Sequence, residues 1–235
     1  MKNLCVFGDS LAKGVVYDEN SNKYAFAKEN FVSLFCEDSD VTYSNYSKFG
    51  CTVTKGEKIV SLHPKSIADA DFTVLEFGGN DSDFNWDDIS NDPEAHHDPK
   101  TPVGVFIETY KRIIGKVKAA GGKPIMLNMP PLDPKRYFAW ISKNLNSANI
   151  LKWLGGSRHF IYRYHEMYNV HVHRIAALLS VPIIDIRSAF LSESNYSEYL
   201  CADGIHPNEK GHRLISQAIK TIVSARLPEY EKMFT

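Results

Sequence analysis

The chain has 235 residues, 43% of them hydrophobic, enough to bury one substantial core, so residues 1–235 are expected to form a single domain. Its 27 Lys and Arg oppose 28 Asp and Glu, a formal net charge of -1, which provides no global field for capturing nucleic acid or an anionic membrane. Small neutral substrates suit that balance.

The amino terminus, MKNLCVFGDS, holds an apolar run from Leu4 to Phe7 that is too short for a signal-peptide core or a membrane span. Nothing later approaches ~18 uninterrupted apolar residues. Cys5, Cys36, Cys51 and Cys201 are widely spaced and show no CxxC pattern. They are expected to be reduced thiols in a cytoplasmic protein, although an even count also permits two disulfides. On that reading the NYS triplets at Asn45 and Asn195 are chance matches to a glycosylation acceptor.

Strands are expected at Leu4–Phe7, Val41–Tyr46, Phe72–Phe77, Pro124–Met129 and Pro182–Ile186, each a short β-rich run. Helices are expected between and after them, near Ala25–Cys36, Lys55–Leu62, Pro102–Ala120, Phe160–Leu179 and Asn208–Arg226. In the third helix Val103, Phe106, Ile107, Tyr110, Ile113, Ile114 and Val117 recur at spacings of three and four, and Gly121-Gly122 ends it. Strands alternating with helices predict an α/β fold with a parallel sheet. Right-handed crossovers then make a three-layer, flavodoxin-like α/β/α sandwich the economical topology, with five strands in the order 2-1-3-4-5. Two segments, Ser82–Thr101 and Leu132–Arg158, are longer than such crossovers require and are expected to be loop insertions of functional interest.

The candidate site residues fall at the carboxyl ends of predicted strands or just before the last helix, the edge where open α/β sheets bind ligands. After the first strand the chain reads Phe7-Gly8-Asp9-Ser10, placing a serine at a helix amino terminus among free N–H groups. By itself such a serine is an ordinary helix cap. Near the carboxyl terminus Asp203-Gly204-Ile205-His206-Pro207 precedes the last helix, and a carboxylate three residues from an imidazole can accept its Nδ1–H and leave Nε2 facing a nucleophile. After the third strand comes Gly78-Gly79-Asn80-Asp81, and after the second Phe49-Gly50-Cys51. N–H donors from Ser10, Gly50 and Asn80 could together hold the negative oxygen of a tetrahedral intermediate.

These blocks, GDS, the glycine at 50, GGND and DGIHP, resemble those of the SGNH, or GDSL-type, hydrolase family, and they occur in that family's order along the whole chain. The resemblance implies a serine esterase or acylhydrolase with Ser10 as nucleophile and Asp203 and His206 completing a catalytic triad. Ser10, Gly50 and Asn80 would form the oxyanion hole. It implies small acyl or acetyl esters, carbohydrate esters among them, or alternatively the longer acyl chains of lipases and thioesterases. No cofactor and no metal are implied. Asp9 and Asp81 are expected to be hydrogen-bonding scaffolds. The absence of a GxSxG elbow argues against the α/β-hydrolase superfamily. A reading of another class, a nucleotide- or flavin-binding module on the same sheet, lacks GxGxxG and GxxxxGK[ST] after any strand.

His96 and His97 lie among Asp87, Asp88, Asp92, Glu94 and Asp98, but without metal-ligand spacing they read as a solvated acidic loop. That loop follows Asn80 directly, so Phe84 and Trp86 are expected to touch substrate. The aromatic segment with Tyr137, Phe138, Trp140 and Trp153 reads either as a substrate-covering lid or as packing on the sheet flank or a partner. Oligomeric state is open on the sequence.

Overall fold

β1 (Lys2–Gly8) leads into a single helical turn, α1 (Ser10–Lys13), and then a hairpin of β2 (Val15–Asp18) and β3 (Lys23–Phe26). These elements belong to a computed structural model that describes residues 2–233, with side chains through residue 225. Next come α2 (Phe31–Asp38), β4 (Val41–Asn45), α3 (Val53–Ser61), α4 (Pro64–Ala68) and β5 (Phe72–Glu76). They are followed by α5 (Trp86–Asn91), α6 (Val103–Ala119), β6 (Pro124–Leu127), α7 (Pro134–Ile141) and α8 (Ser147–Trp153). The chain closes with α9 (His159–Leu178), β7 (Ile183–Ile184), α10 (Arg187–Leu191) and α11 (Glu209–Met233).

Five strands form one parallel sheet in the order β4-β1-β5-β6-β7. This is the expected order, second-first-third-fourth-fifth, with the chain reversing direction across the sheet at β1. Successive residues of a strand point to opposite faces, and both faces are covered. Phe7, Leu75 and Phe77 pack with Phe106, Tyr110 and Tyr168 of α6 and α9, while Val6, Leu127 and Ile184 pack with Phe31 of α2 and Ile215 and Ile219 of α11. Two-sided burial explains why the strands read as continuous apolar runs. Tyr110 is fully buried and donates its hydroxyl to the Leu75 carbonyl at 3.3 Å, so α6 is tied to β5 by a bond as well as by packing.

Several elements differ from expectation. A helix beginning at Ala25 is corrected: the chain is still extended through Phe26, and α2 starts at Phe31 behind a capping box in which Asn30 Oδ1 accepts from Val32 and Ser33 while Ser33 Oγ accepts from Asn30. The fifth strand shortens to two residues. The two long segments contain helices: α5 lies in the first, and α7 and α8 in the second, each of the latter started by an Asx cap, at Asp133 and Asn146. Their apolar side chains form a third cluster, with Phe84, Trp86, Tyr137, Phe138 and Leu154 at its centre.

Candidate active site

The turn after β1 is held by two buried carboxyl groups. Asp9 caps α1 by accepting the Leu11 N–H on Oδ1 at 2.9 Å. Glu76, at the end of β5, accepts the N–H groups of Asp9 and Ala12 on Oε2 at 3.2 and 3.3 Å. Three of the four N–H groups from Asp9 to Ala12 are therefore occupied, while that of Ser10 has no acceptor among the described residues. Burial raises Glu76 well above the usual carboxylate range, and the charge of Asp9 raises it further. Burial raises Asp9 as well, against the hydrogen bonds from Leu11 and Asn80. Two adjacent buried carboxyls cannot both ionise. The upward push is the stronger on Glu76, since Asp9 accepts from Leu11 and Asn80, so Glu76 is the more readily protonated of the two.

Asp203 and His206 sit in a loop closed by its own bonds. Cys201 N–H donates to the His206 carbonyl at 2.7 Å, Gly204 N–H donates to Cys201 at 3.0 Å, and Leu200 pairs with Pro207 as an isolated antiparallel bridge. Gly204 has φ +76, and a Cβ there would lie 2.8 Å from the Tyr137 nitrogen and 2.9 Å from the Asp133 carbonyl, so only glycine fits. Asp203 Oδ1 accepts the N–H groups of Ile205 and His206 at 3.0 and 3.1 Å, which leaves Oδ2 for the ring. Burial acts to raise the Asp203 pKa, but the His206 hydrogen bond and charge together with these N–H groups outweigh it and hold the carboxyl below its ordinary value. His206 Nδ1 lies 2.6 Å from Asp203 Oδ2, and its Nε2 lies 2.8 Å from Ser10 Oγ.

Asn80 and Gly50 reach the same place from the two strands that flank β1. Asn80 Nδ2 donates one hydrogen to Asp9 Oδ2 at 2.9 Å, and a primary amide has a second. Gly50, at φ +65, turns the chain from β4 into α3. The N-cap of α3, Thr52, makes no side-chain cap bond. Asp81 caps that helix instead, its two oxygens 2.9 and 3.1 Å from the Val53 nitrogen. The loop bearing Asn80 and the loop bearing Gly50 are thus fastened to each other. Burial pushes the Asp81 pKa up to about 7, with the Val53 N–H acting against it.

Ser10, Gly50, Asn80 and His206 open into a cavity of about 760 Å³. Phe84 and Trp86 line it, although both are largely buried in the third cluster, where Trp86 Nε1 donates to Asp83 at 2.8 Å. The second long segment supplies Tyr137, Trp140, Ile141 and Leu145 to the same wall, while its Trp153 and Leu154 pack inward. Two contacts escaped the sequence reading. The Tyr24 ring stands edge-on to the His206 ring with centroids 5.2 Å apart, and the Phe49 ring stacks on it at 6.1 Å and 18°. Tyr24 belongs to the hairpin, whose other strand packs Tyr17 against Trp140 at 4.4 Å.

The remaining candidates lie elsewhere. The exposed His96 pairs with Asp98 at 3.1 Å, and the half-buried His97 with the Asp92 carbonyl at 2.7 Å. The four cysteines are buried and free. Among the described residues no helix is long and apolar enough to cross a membrane.

A parallel α/β sheet whose carboxyl edge gathers a serine, an imidazole and a carboxylate is the architecture of a serine hydrolase acting on esters. The model of the GDSL-like Lipase/Acylhydrolase family matches residues 6–214, and the chain belongs to that family. No curated protein matches its sequence. Solved structures share its fold. The lipase/acylhydrolase from Enterococcus faecalis superposes with a TM-score of 0.68 at 22% identity, over 96% of this chain and 97% of that one. The psychrotrophic esterase EstA from Pseudoalteromonas sp. gives 0.64 at 15% identity, over 97% and 100%. A catalytic mutant of an acetylxylan esterase from Geobacillus stearothermophilus gives 0.63 at 16% identity, over 93% and 92%.

Proposed function

We propose that this esterase works through Ser10, His206 and Asp203 as a nucleophilic triad and forms an acyl-enzyme on Ser10. One observation carries the reading: the unbroken line from Asp203 Oδ2 through both ring nitrogens of His206 to Ser10 Oγ, at 2.6 and 2.8 Å. In the first step Ser10 Oγ attacks the ester carbon while its proton passes to His206 Nε2, and Asp203 stabilises the imidazolium that forms. The carbonyl oxygen becomes an oxyanion that accepts the Ser10 N–H, the Gly50 N–H and the second Asn80 Nδ2 hydrogen. Each such donor is worth roughly a hundred- to a thousandfold in rate.

Collapse of the intermediate expels the alcohol, which takes the proton from His206. Water then attacks the acyl-enzyme, losing its proton to His206, and Ser10 leaves with that proton as the acid departs. The substrates are small acyl or acetyl esters, of carbohydrates among others, whose non-reacting part occupies the cavity lined by Phe84 and Trp86.

Two measurements test the triad. Ser10→Ala is expected to abolish turnover of p-nitrophenyl acetate, and an organophosphonate is expected to add its mass to the Ser10 peptide alone. Wild-type rates in the mutant, or a label on another residue, end the proposal. A nitrophenyl ester series from two to sixteen acyl carbons then separates short-acyl from lipase-like use of the cavity.

A further inference from the structure

The volume beside Ser10, about 760 Å³, is far larger than an acetyl group needs and falls among pockets that enclose most of a drug-sized ligand. The wall remote from Ser10 is made by Pro130 and Pro131 after β6 and by Ile161, Tyr164 and His165 on α9. Because β1, β5 and β6 are consecutive strands spaced about 4.8 Å apart, that wall stands on the order of 10 Å from the exit of β1.

His165 is chemically out of place in this wall. It is 8% exposed, and its Nδ1 is buried without a hydrogen-bond partner. Burial, followed by the nearby Arg187 guanidinium, pushes its pKa down to about 3, so at neutral pH the ring has one N–H donor and one bare acceptor nitrogen. Arg187 is already engaged, donating to the Met129 and Pro130 carbonyls at 3.1 and 3.0 Å and pairing with Glu166. One turn along α9, Asn169 accepts the Met129 N–H at 3.1 Å. His165 Nδ1 and Arg187 Nε are both buried without a hydrogen-bond partner here, and a buried polar atom left unpaired costs about 1–3 kcal/mol.

We propose that His165 is a specificity-determining residue whose imidazole hydrogen-bonds a hydroxyl of a polyhydroxylated ester, such as an acetylated sugar, lying in the cavity with its carbonyl at Ser10. This rests on the Ser10 reading above. With Nδ1 buried, the ring meets a ligand through Nε2, which has no hydrogen-bond partner among the described residues and is not closed off. A hydroxyl both donates and accepts, so it pairs with Nε2 in either tautomer, whereas a plain alkyl chain would fill the same space and strip Nε2 of water without replacing the bond. Sites that hydrogen-bond a substrate hydroxyl reject the analogue lacking it far more strongly than apolar pockets reject a change of size.

The test compares kcat/KM for monoacetylated xylobiose with that for cyclohexylmethyl acetate, in wild type, His165→Phe and His165→Gln. Wild type is expected to prefer the sugar ester at least about tenfold; His165→Phe should lower that ratio at least about tenfold, and the hydrogen-bonding His165→Gln should recover most of it. A ratio that moves less than about twofold in both variants, or a wild type that prefers the alkyl ester, overturns the inference. Independently of any variant, xylobiose should inhibit wild-type hydrolysis of p-nitrophenyl acetate more strongly than cyclohexylmethanol does, and the reverse order overturns it. If wild type cleaves p-nitrophenyl acetate without this preference, only the role of His165 falls. If it cleaves no ester, the Ser10 reading falls and takes this inference with it.

Discussion

Glu76 Oε2 accepts the backbone N–H groups of Asp9 and Ala12, on either side of Ser10, at 3.2 and 3.3 Å. A carboxyl on the neighbouring strand therefore sets the shape of the turn that presents the serine, and burial together with the Asp9 charge holds that carboxyl well above the ordinary range.

If the Glu76 proton is held as described, glutamine is a near replacement, since its oxygen accepts the same N–H groups and its amide donates to Asp9. Glu76→Gln should keep activity within about tenfold and change stability by less than about 1.5 kcal/mol. Glu76→Leu leaves two buried N–H groups unpaired and should cost about 2–5 kcal/mol, with a loss of kcat. Urea melts and p-nitrophenyl acetate kinetics on both variants decide it; equal damage from Gln and Leu contradicts the protonated pair.

Asp81 contributes in the opposite sense to a salt-bridged carboxylate. Its folded pKa, about 7, lies above the ordinary 3.8, so the stability it supports is complete below pH 3.8 and is lost as pH rises to about 7. The loss reaches on the order of 4 kcal/mol. Asparagine can still accept the Val53 N–H without a buried charge. The stability of Asp81→Asn relative to wild type should therefore rise between pH 4 and 7 and level off above. A difference that is flat from pH 4 to 8 in denaturant titrations would rule this out.

Asp203→Asn preserves the shape of its loop but replaces an acceptor with an amide that can turn a donor toward His206 Nδ1. The expected result is a fall in kcat of about a thousand- to ten-thousandfold with little change in KM. Loss of less than about tenfold would mean that His206 is oriented by something else.

Tyr24 touches the His206 ring but is itself partly exposed, at 39%. Tyr24→Ala removes one ring contact of roughly 0.5–1.5 kcal/mol, so kcat/KM should fall about three- to tenfold while the melting temperature moves by only a few degrees. Tyr24→Phe keeps the ring contact and removes only the interaction of the hydroxyl with the Asp203 carboxyl, so it should lose less than Tyr24→Ala, and an equally impaired Phe variant would assign the effect to the hydroxyl.

The sheet was readable because parallel strands buried on both faces are written as apolar runs, and the long helices because one face repeats every three or four residues. The positions of Ser10, Asn80, Asp203 and His206 followed from strand ends and a loop of distinctive composition. The hairpin was not readable. All four residues of β3 are exposed, so its pairing leaves no alternating pattern, and Tyr17 is held by Trp140, more than a hundred positions away. Asn30 and Ser33 did mark the true start of α2, a capping signal that the apolar count around Ala25 obscured. Glu76 was hidden for a different reason. A glutamate at the end of an apolar strand looks like a residue leaving the core, and only the adjacency of β1 and β5 brings it under Asp9.

The lacing of residues 200–207 has a consequence for how this molecule tolerates change. Carboxylate and imidazole are delivered together as one prefabricated piece, aligned with each other by bonds inside an eight-residue span, and only its seat beside α1 and α7 has to be reproduced. Loops between Asp81 and Tyr199 can then lengthen, shorten or exchange sequence to suit a new ester without realigning Asp203 on His206.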